Sequence, residues 1–177
     1  MKILSVDQAR NGAWAIGESD TKELLEFGTF SFTGKKYTYA QAIVKIEALI
    51  NNLIDEKKID AVFVEDIQMR RNVLSYKRLA QLQGVLINLL EKKGIPYGYI
   101  APAKWQSWCR KKLKSMNTHV NTTAVLAESE KKETKMLSLC FVKEQYGIDT
   151  ADDNLADAVS ILDFVMNAAD CRTYFAK

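Results

Sequence analysis

Short apolar runs separated by polar turns predict five β-strands. Three lie in the first third of the chain, at residues 3–6, 13–16 and 24–32. The turns between them are short enough for antiparallel hairpins. Ala61–Glu65 and Tyr97–Ile100 are rich in β-branched or aromatic residues and predict the fourth and fifth strands. The fourth strand follows a helical segment, so we expect it to run parallel to the first.

Apolar residues elsewhere recur every three or four positions, which is the spacing of an amphipathic helix. This spacing predicts helices near residues 43–53 and 79–93, another from Pro102, and two more at 133–146 and Asp153–Met166. The order βββαβαβααα predicts an α/β fold with a mixed sheet flanked by helices. With 177 residues, eight Gly and two Pro, the chain shows no long linker, and we expect a single domain over residues 1–177.

The composition narrows the class of protein. Hydrophobic residues make up 47% of the chain, yet no apolar run has the length of a membrane span or an export signal. We therefore expect a soluble cytoplasmic protein without a membrane partner. Cys109, Cys140 and Cys171 form no closely spaced pair, so we expect reduced thiols and neither a zinc site nor a disulfide. His119 belongs to no motif, and we expect it to face solvent.

Acidic residues stand where a sheet can gather them. Asp7 ends the first strand on the same face as Ser5, and Glu65 ends the fourth strand. Asp153 and Asp157 are four residues apart, which places them on one side of the last helix, opposite its apolar side. Taken singly, each acid is also consistent with a turn residue or a helix cap, and Asp152 or Asp153 is a candidate N-cap.

Together the four acids fit a metal site. Hard cations such as Mg²⁺ prefer oxygen ligands, and a pair of them about 3.5–4 Å apart can clamp a phosphodiester for hydrolysis. We predict that Asp7, Glu65, Asp153 and Asp157 bind the metal and are catalytic. Asp66 points to the other face of its strand, so we expect it to lie outside this site.

The segment that begins at Glu65 resembles the catalytic segment of the RuvC resolvases. In that family a catalytic Glu is followed, at the same spacings, by the residue types found here at Met69, Asn72, Ser75, Leu79, Gln81 and Gly84. The late helix also carries an Ala-Asp-Ala triplet at residues 156–158. The likeness extends from residue 1 to about residue 167, and the compact size resembles that of phage-encoded members.

The resemblance implies an RNase H-like fold, a homodimer, and Mg²⁺-dependent cutting of four-way and other branched DNA, with Mn²⁺ able to substitute. By motif match, Asp7, Glu65 and Asp157 carry over as metal-binding acids. The family's fourth acid corresponds to Asn154; we predict that Asp153, one residue earlier, is the fourth ligand, with Asn154 as the alternative. Lys132 is the closest match to a family lysine near the scissile phosphate.

Basic residues follow these motifs, and the chain carries a formal net charge of +3. The predicted DNA-binding residues are Arg70, Arg71, Lys77, Lys104, Lys111 and Lys112. For the group around residue 110, a solvated helix face is an equally good explanation. Trp105 and Trp108 in the same helix are predicted to be core residues. The helix over residues 79–90 has apolar residues on more than one side, so it could serve the core and a dimer interface.

The primary hypothesis is a structure-selective endonuclease that hydrolyses phosphodiesters with two metal ions. Gln68 stands where the family often has an aromatic residue that stacks on a base. This difference leaves open a less selective nuclease of the same fold, acting on forks, flaps or single strands. The Asn154 substitution leaves open a third possibility, a junction-binding protein without catalysis.

Overall fold

The computed structural model describes residues 1–68, 72–116, 130–168 and 170–176, and it describes side chains at all of these except 130–135. The strands are β1 (Lys2–Asp7), β2 (Asn11–Glu18), β3 (Glu23–Ser31), β4 (Ala61–Glu65) and β5 (Tyr97–Ile100). The helices are α1 (Tyr39–Lys57), α2 (Val73–Lys93), α3 (Pro102–Ser115), α4 (Glu130–Tyr146) and α5 (Asp153–Met166), followed by a 3-10 turn at Cys171–Tyr174. Every predicted strand and helix is present, and α4 begins three residues earlier than predicted.

The five strands form one mixed sheet in the order β3-β2-β1-β4-β5. The first three strands pair antiparallel, as their short turns predict. β4 lies parallel to β1, and β5 lies parallel to β4, because α1 connects β3, which runs in the same direction as β1, to β4, and α2 connects β4 to β5. The prediction that the fourth strand returns parallel to the first is confirmed. The carboxyl ends of β1, β4 and β5 therefore meet at one edge of the sheet.

The sheet is covered on both faces. Leu4 and Val6 of β1 face α1 and α2 in one apolar cluster, whereas Ile3 of β1 and Phe63 of β4 face α3, α4 and α5 in another. This division follows from the alternation of side chains along each strand. The architecture is therefore a three-layer α/β domain with a core on either side of the sheet.

Side-chain caps fix where several helices begin. The Thr38 side chain accepts a hydrogen bond from the backbone of Gln41, whose side chain accepts one from Thr38 in return. Asn72 caps α2 by accepting from the Ser75 backbone N–H at 3.1 Å. Asn72 and Ser75, two positions of the segment that follows Glu65, thus have a structural role, since they define the first turn of α2.

Small residues let α5 lie very close to the sheet. Ala158 is fully buried against β1, where the Ser5 hydroxyl donates a hydrogen bond to its carbonyl oxygen at 2.7 Å. On β2, a Cβ at Gly17 would come within 2.5 Å of the Met166 sulfur and 2.8 Å of the Glu23 carbonyl oxygen. Larger side chains at these positions would push the helix away. The position of α5 over β1 and β2 is therefore set by side-chain size and by one buried hydrogen bond.

Cys109, Cys140 and Cys171 are all free thiols, and burial raises the pKa of the Cys109 thiol to about 12. No helix in the described part of the chain combines the length and apolar character that crossing a membrane requires.

The bond between Ser5 and Ala158 gives a test of how α5 is held. Replacing Ser5 with Ala removes a buried hydrogen bond, so we expect the free energy of unfolding to fall by about 1 kcal/mol. Ser31→Ala is the matched control, because Ser31 is exposed on β3 and its hydroxyl shares a hydrogen bond with the neighbouring Thr33 hydroxyl. This control should change stability by less than about 0.5 kcal/mol in urea denaturation. Equal losses in the two variants would show that the bond does not anchor the helix.

Candidate functional site

Asp7 and Glu65 end two neighbouring parallel strands. Val6 of β1 is paired in register with Val64 of β4, so the next positions on these strands are Asp7 and Glu65. They share the face that carries Phe63, because side chains alternate along a strand. Adjacent strands lie about 4.8 Å apart. The fold therefore places two carboxylates side by side at the carboxyl edge of the sheet, as the sequence predicts.

Helix α5 brings further acids to the same edge. The bond from Ser5 to the Ala158 carbonyl fixes the turn of α5 that carries Asp157, and Asp153 lies one turn earlier. Asp152 is the N-cap of the helix, since its carboxylate accepts hydrogen bonds from the backbone N–H groups of residues 154 and 155, at 3.0 and 3.2 Å. The cap is thus Asp152, and Asp153 is left as a first-turn acid.

The electrostatics of Asp7 show that these acids share one neighbourhood. The pKa of the Asp7 carboxyl lies well above its usual range, first because it is buried and then because Glu65, Asp157, Asp153 and Asp152 are negatively charged nearby. Each negative neighbour makes ionisation of Asp7 harder. The structure therefore brings together all four acids that the sequence singles out as metal ligands.

The donor set fits a hard divalent cation, since every one of these side chains offers carboxylate oxygens. Among the described residues, no three His, Cys, Asp or Glu side chains are arranged as a ready-made ligand set. Binding would thus require the carboxylates to turn towards a common point. The fold gathers the acids into one region.

Two further side chains hold Glu65, and sequence reasoning did not find this role. Gln8 is buried and donates its amide N–H to the Glu65 backbone carbonyl at 3.0 Å. Trp105 is fully buried, as predicted for a core residue, and its indole N–H also donates to Glu65 Oε1 at 3.1 Å. Two features of the sequence could have indicated this role. Gln8 directly follows Asp7, and Trp105 lies in the first turn of the helix after β5.

Asp163, an acid that the sequence analysis did not single out, has a structural role. It is buried on α5 and accepts hydrogen bonds from the Trp108 indole N–H of α3 and the Tyr146 hydroxyl of α4, both at 2.5 Å. Burial and the Asp163 charge raise the pKa of the Tyr146 hydroxyl. Trp108 is only partly buried, at the margin of the core. Asp163 thus joins three helices below the acidic edge.

The predicted DNA-binding residues have different surroundings. Lys77 and Lys111 are exposed on α2 and α3. The Lys104 ammonium lies over the Tyr174 ring at 4.7 Å from its centroid, and the Lys112 ammonium lies over the Trp108 ring at 5.0 Å. Arg70, Arg71, His119 and the side chain of Lys132 are outside the described residues.

Two residues, Asp66 and Gln68, follow Glu65 closely in the chain. Gln68 is exposed three residues after Glu65. Burial first, and the charge of Asp66 among lesser causes, raise the pKa of Tyr99, which packs in the cluster on the opposite face of the sheet. This neighbourhood is consistent with the prediction that Asp66 lies outside the acidic site.

No protein-family model and no curated protein matches the chain, whereas solved structures do. Thermus thermophilus RuvC in complex with a Holliday junction substrate superposes with a TM-score of 0.63 at 17% identity, over 93% of this chain and 91% of that one. Another structure of the same protein gives 0.63 at 15% identity, over 93% and 92%. The yeast mitochondrial Holliday junction resolvase gives 0.58 at 13% identity, over 97% and 79%.

These likenesses establish the fold. The chain has the RuvC-type, RNase H-like architecture, with a mixed five-stranded sheet between helices. The fold predicted from the sequence, RNase H-like and of the RuvC type, is confirmed.

The raised pKa of Asp7 predicts a gain of stability on removing its charge. A raised carboxyl pKa favours the folded state at acid pH, and this contribution is lost as the pH rises through the raised value. Without divalent cations, Asp7→Asn should therefore be more stable than wild type at pH 8, and the difference should shrink as the pH falls. A gain of about 1 kcal/mol would raise Tm by about 2–4 °C.

Asp66→Asn is the matched control for this measurement, because it removes a carboxylate from the other face of the same edge. Its Tm should stay close to that of wild type across the pH range in thermal melts with EDTA present. A loss of stability in Asp7→Asn at pH 8 would contradict the electrostatic account of the site.

Proposed function

We propose that the chain is a divalent-metal-dependent DNA endonuclease that cuts Holliday junctions and other branched DNA. The observation that carries this proposal is the cluster of acids around the buried Asp7; burial and then these neighbouring charges raise the pKa of its carboxyl. Gathering like charges at a partly buried strand end costs free energy. Groups with a perturbed pKa are characteristic of functional sites. Binding a pair of metal ions that hydrolyses phosphodiesters would explain why these acids are clustered.

The substrate class is supported by the structural neighbours. One is a RuvC that is seen with a Holliday junction substrate, and another is a mitochondrial Holliday junction resolvase. Both share most of their length with this chain. An acidic edge on this fold supports branched DNA as the ligand here.

Four side chains would hold the cations, namely those of Asp7, Glu65, Asp153 and Asp157. Asp153 is favoured over Asn154 as the fourth ligand because its charge acts on Asp7. When bound, a pair of Mg²⁺ ions activates water and stabilises the leaving oxygen. Mn²⁺ accepts similar oxygen ligands and is expected to substitute. The role of the protein is to hold these carboxylates at one edge, with Gln8 and Trp105 restraining Glu65.

Basic residues would bind the DNA backbone around this edge. We assign phosphate contacts to Arg70, Arg71, Lys77, Lys104, Lys111 and Lys112, and a place beside the scissile phosphate to Lys132. Such contacts neutralise phosphates without reading sequence, so affinity should fall steeply with salt. The cation–π contacts of Lys104 and Lys112 restrain these two ammonium groups on α3, and this supports a role in binding.

A four-way junction has two strands to cut, which calls for two active sites, and we propose a homodimer. The helix α2 is the candidate interface, because Val73 and Leu74 at its start are 60% and 56% exposed. We further propose that residues 1–177 act as one nuclease domain in the cytoplasm of a bacterial or phage-infected cell.

A second candidate function is that of a nuclease of the same fold that also accepts forks, flaps or single strands. The observation in its favour is the exposed Gln68 just beyond Glu65, since a glutamine does not stack on a base as an aromatic ring does. Comparing cleavage of a four-way junction, a fork and a plain duplex of the same sequence distinguishes these substrates. We expect the junction to be cut at least tenfold faster than the duplex.

The direct test of catalysis is cleavage of a synthetic four-way junction in Mg²⁺. Asp7→Asn should lower the rate by at least about 100-fold, because several kcal/mol of transition-state stabilisation depend on the metal site. Asp66→Asn should cut at nearly the wild-type rate, and EDTA should abolish cutting by both.

Cutting by Asp7→Asn at the wild-type rate would remove Asp7 from the mechanism. If the wild-type protein binds the junction but does not cut it in Mg²⁺ or Mn²⁺, the protein is a junction-binding protein without catalysis, and the nuclease proposal fails.

A further inference from the structure

The indole of Trp105 joins the core of the protein to the acidic edge. Glu65 at the end of β4 is paired in register with Ile100 at the end of β5, and Pro102 begins α3 two residues later. This short connection places the first turn of α3 next to Glu65. Trp105 lies in that turn, is fully buried, and donates its indole N–H to Glu65 Oε1 at 3.1 Å.

We propose that Trp105 is a positioning residue that biases Glu65 towards contact with a cation through a single oxygen, and thereby favours small divalent ions over Ca²⁺. This proposal rests on the metal-dependent function proposed above. It concerns which cation the site selects, and it assigns that selection to a residue that itself touches no metal.

The hydrogen bond from Trp105 restricts how the Glu65 carboxylate can bind a cation. An oxygen that accepts an indole N–H has part of its lone-pair density directed at that donor, so binding a cation with both oxygens together becomes less favourable. The indole N–H has no acceptor role and is buried, so turning away would leave it without a partner in the core. Glu65 is further restrained by Gln8, which holds its backbone carbonyl.

The two cations respond differently to such a restraint. Ca²⁺ takes six to eight oxygen ligands and often binds carboxylates through both oxygens, whereas Mg²⁺ requires a near-octahedral set at shorter distance. A carboxylate held for one-oxygen contact suits the smaller ion. Side chains that orient a metal ligand in this way typically change metal affinity by about 10–100-fold when they are replaced.

The same helix provides a matched control. Trp108 lies one turn further along α3 and also donates its indole N–H to a carboxylate, that of Asp163, at 2.5 Å. Asp163 joins helices and does not appear among the charges that raise the pKa of Asp7. Trp105→Phe and Trp108→Phe therefore each remove one indole N–H from α3, and only the first removes it from Glu65.

Cation affinities measured by calorimetry on the full chain test the proposal. Trp105→Phe should weaken Mn²⁺ binding by about tenfold while leaving Ca²⁺ binding unchanged or tighter, so the ratio of the two affinities falls by about tenfold or more. Trp108→Phe should keep the wild-type ratio. A wild-type ratio in Trp105→Phe, or an equal change in both variants, would overturn the proposal.

A measurement on the wild-type protein removes dependence on how well a variant folds. The chain has three tryptophans, Trp14, Trp105 and Trp108, and the indole N–H signal of Trp105 is identified as the one present in the NMR spectra of both Trp14→Phe and Trp108→Phe. Adding Mg²⁺ should shift this signal and leave that of Trp108 in place. A Trp105 signal that does not move in Mg²⁺ would overturn the proposal.

The two proposals fail in different ways. A Trp105 signal that responds to Mg²⁺ in a protein that cuts no DNA supports the role of Trp105 and contradicts the nuclease function. Junction cutting by a protein whose Trp105→Phe variant keeps the wild-type cation ratio supports the nuclease and overturns the role of Trp105.

Discussion

Repulsion between carboxylates at one edge of the sheet is the constraint on which this structure depends. The parallel register of β1 and β4 puts Asp7 beside Glu65, and α5 adds Asp153 and Asp157. Burial of Asp7 and, after it, this crowding raise the pKa of the Asp7 carboxyl. A protein selected for stability alone would not keep these acids together, so the arrangement is explained by the divalent cations and the phosphodiester that we propose it binds.

The rest of the fold holds this crowded edge in place. Two apolar clusters fix the sheet from both sides, and small residues let α5 approach β1 closely enough for Ser5 to bond to the helix backbone. Below the edge, Asp163 ties α5 to α3 and α4 through Trp108 and Tyr146. The free energy released by packing these layers offsets the cost of the clustered charges at the site.

Local sequence patterns contain the information about this site only in part. Strand alternation and helical spacing predict every strand and α-helix that the structure describes, the face on which Asp7 lies and the pairing of Asp153 with Asp157, because these depend on residues near one another in the chain. The bond between Trp105 and Glu65 joins residues 40 positions apart, so no local pattern shows it. The choice of Asp152 as the helix cap depends likewise on backbone geometry, since Asp153 is an equally good cap by residue type.

A crystal structure of the full chain with Mn²⁺ tests the central claim most directly, because the anomalous scattering of manganese locates the ion independently of the protein density. We predict manganese at the carboxyl edge of β1 and β4, bound by Asp7, Glu65 and Asp157, with Asp153 as the fourth ligand. Manganese found only elsewhere on the protein, or none at an Mn²⁺ concentration at which the protein cuts DNA, would contradict the account.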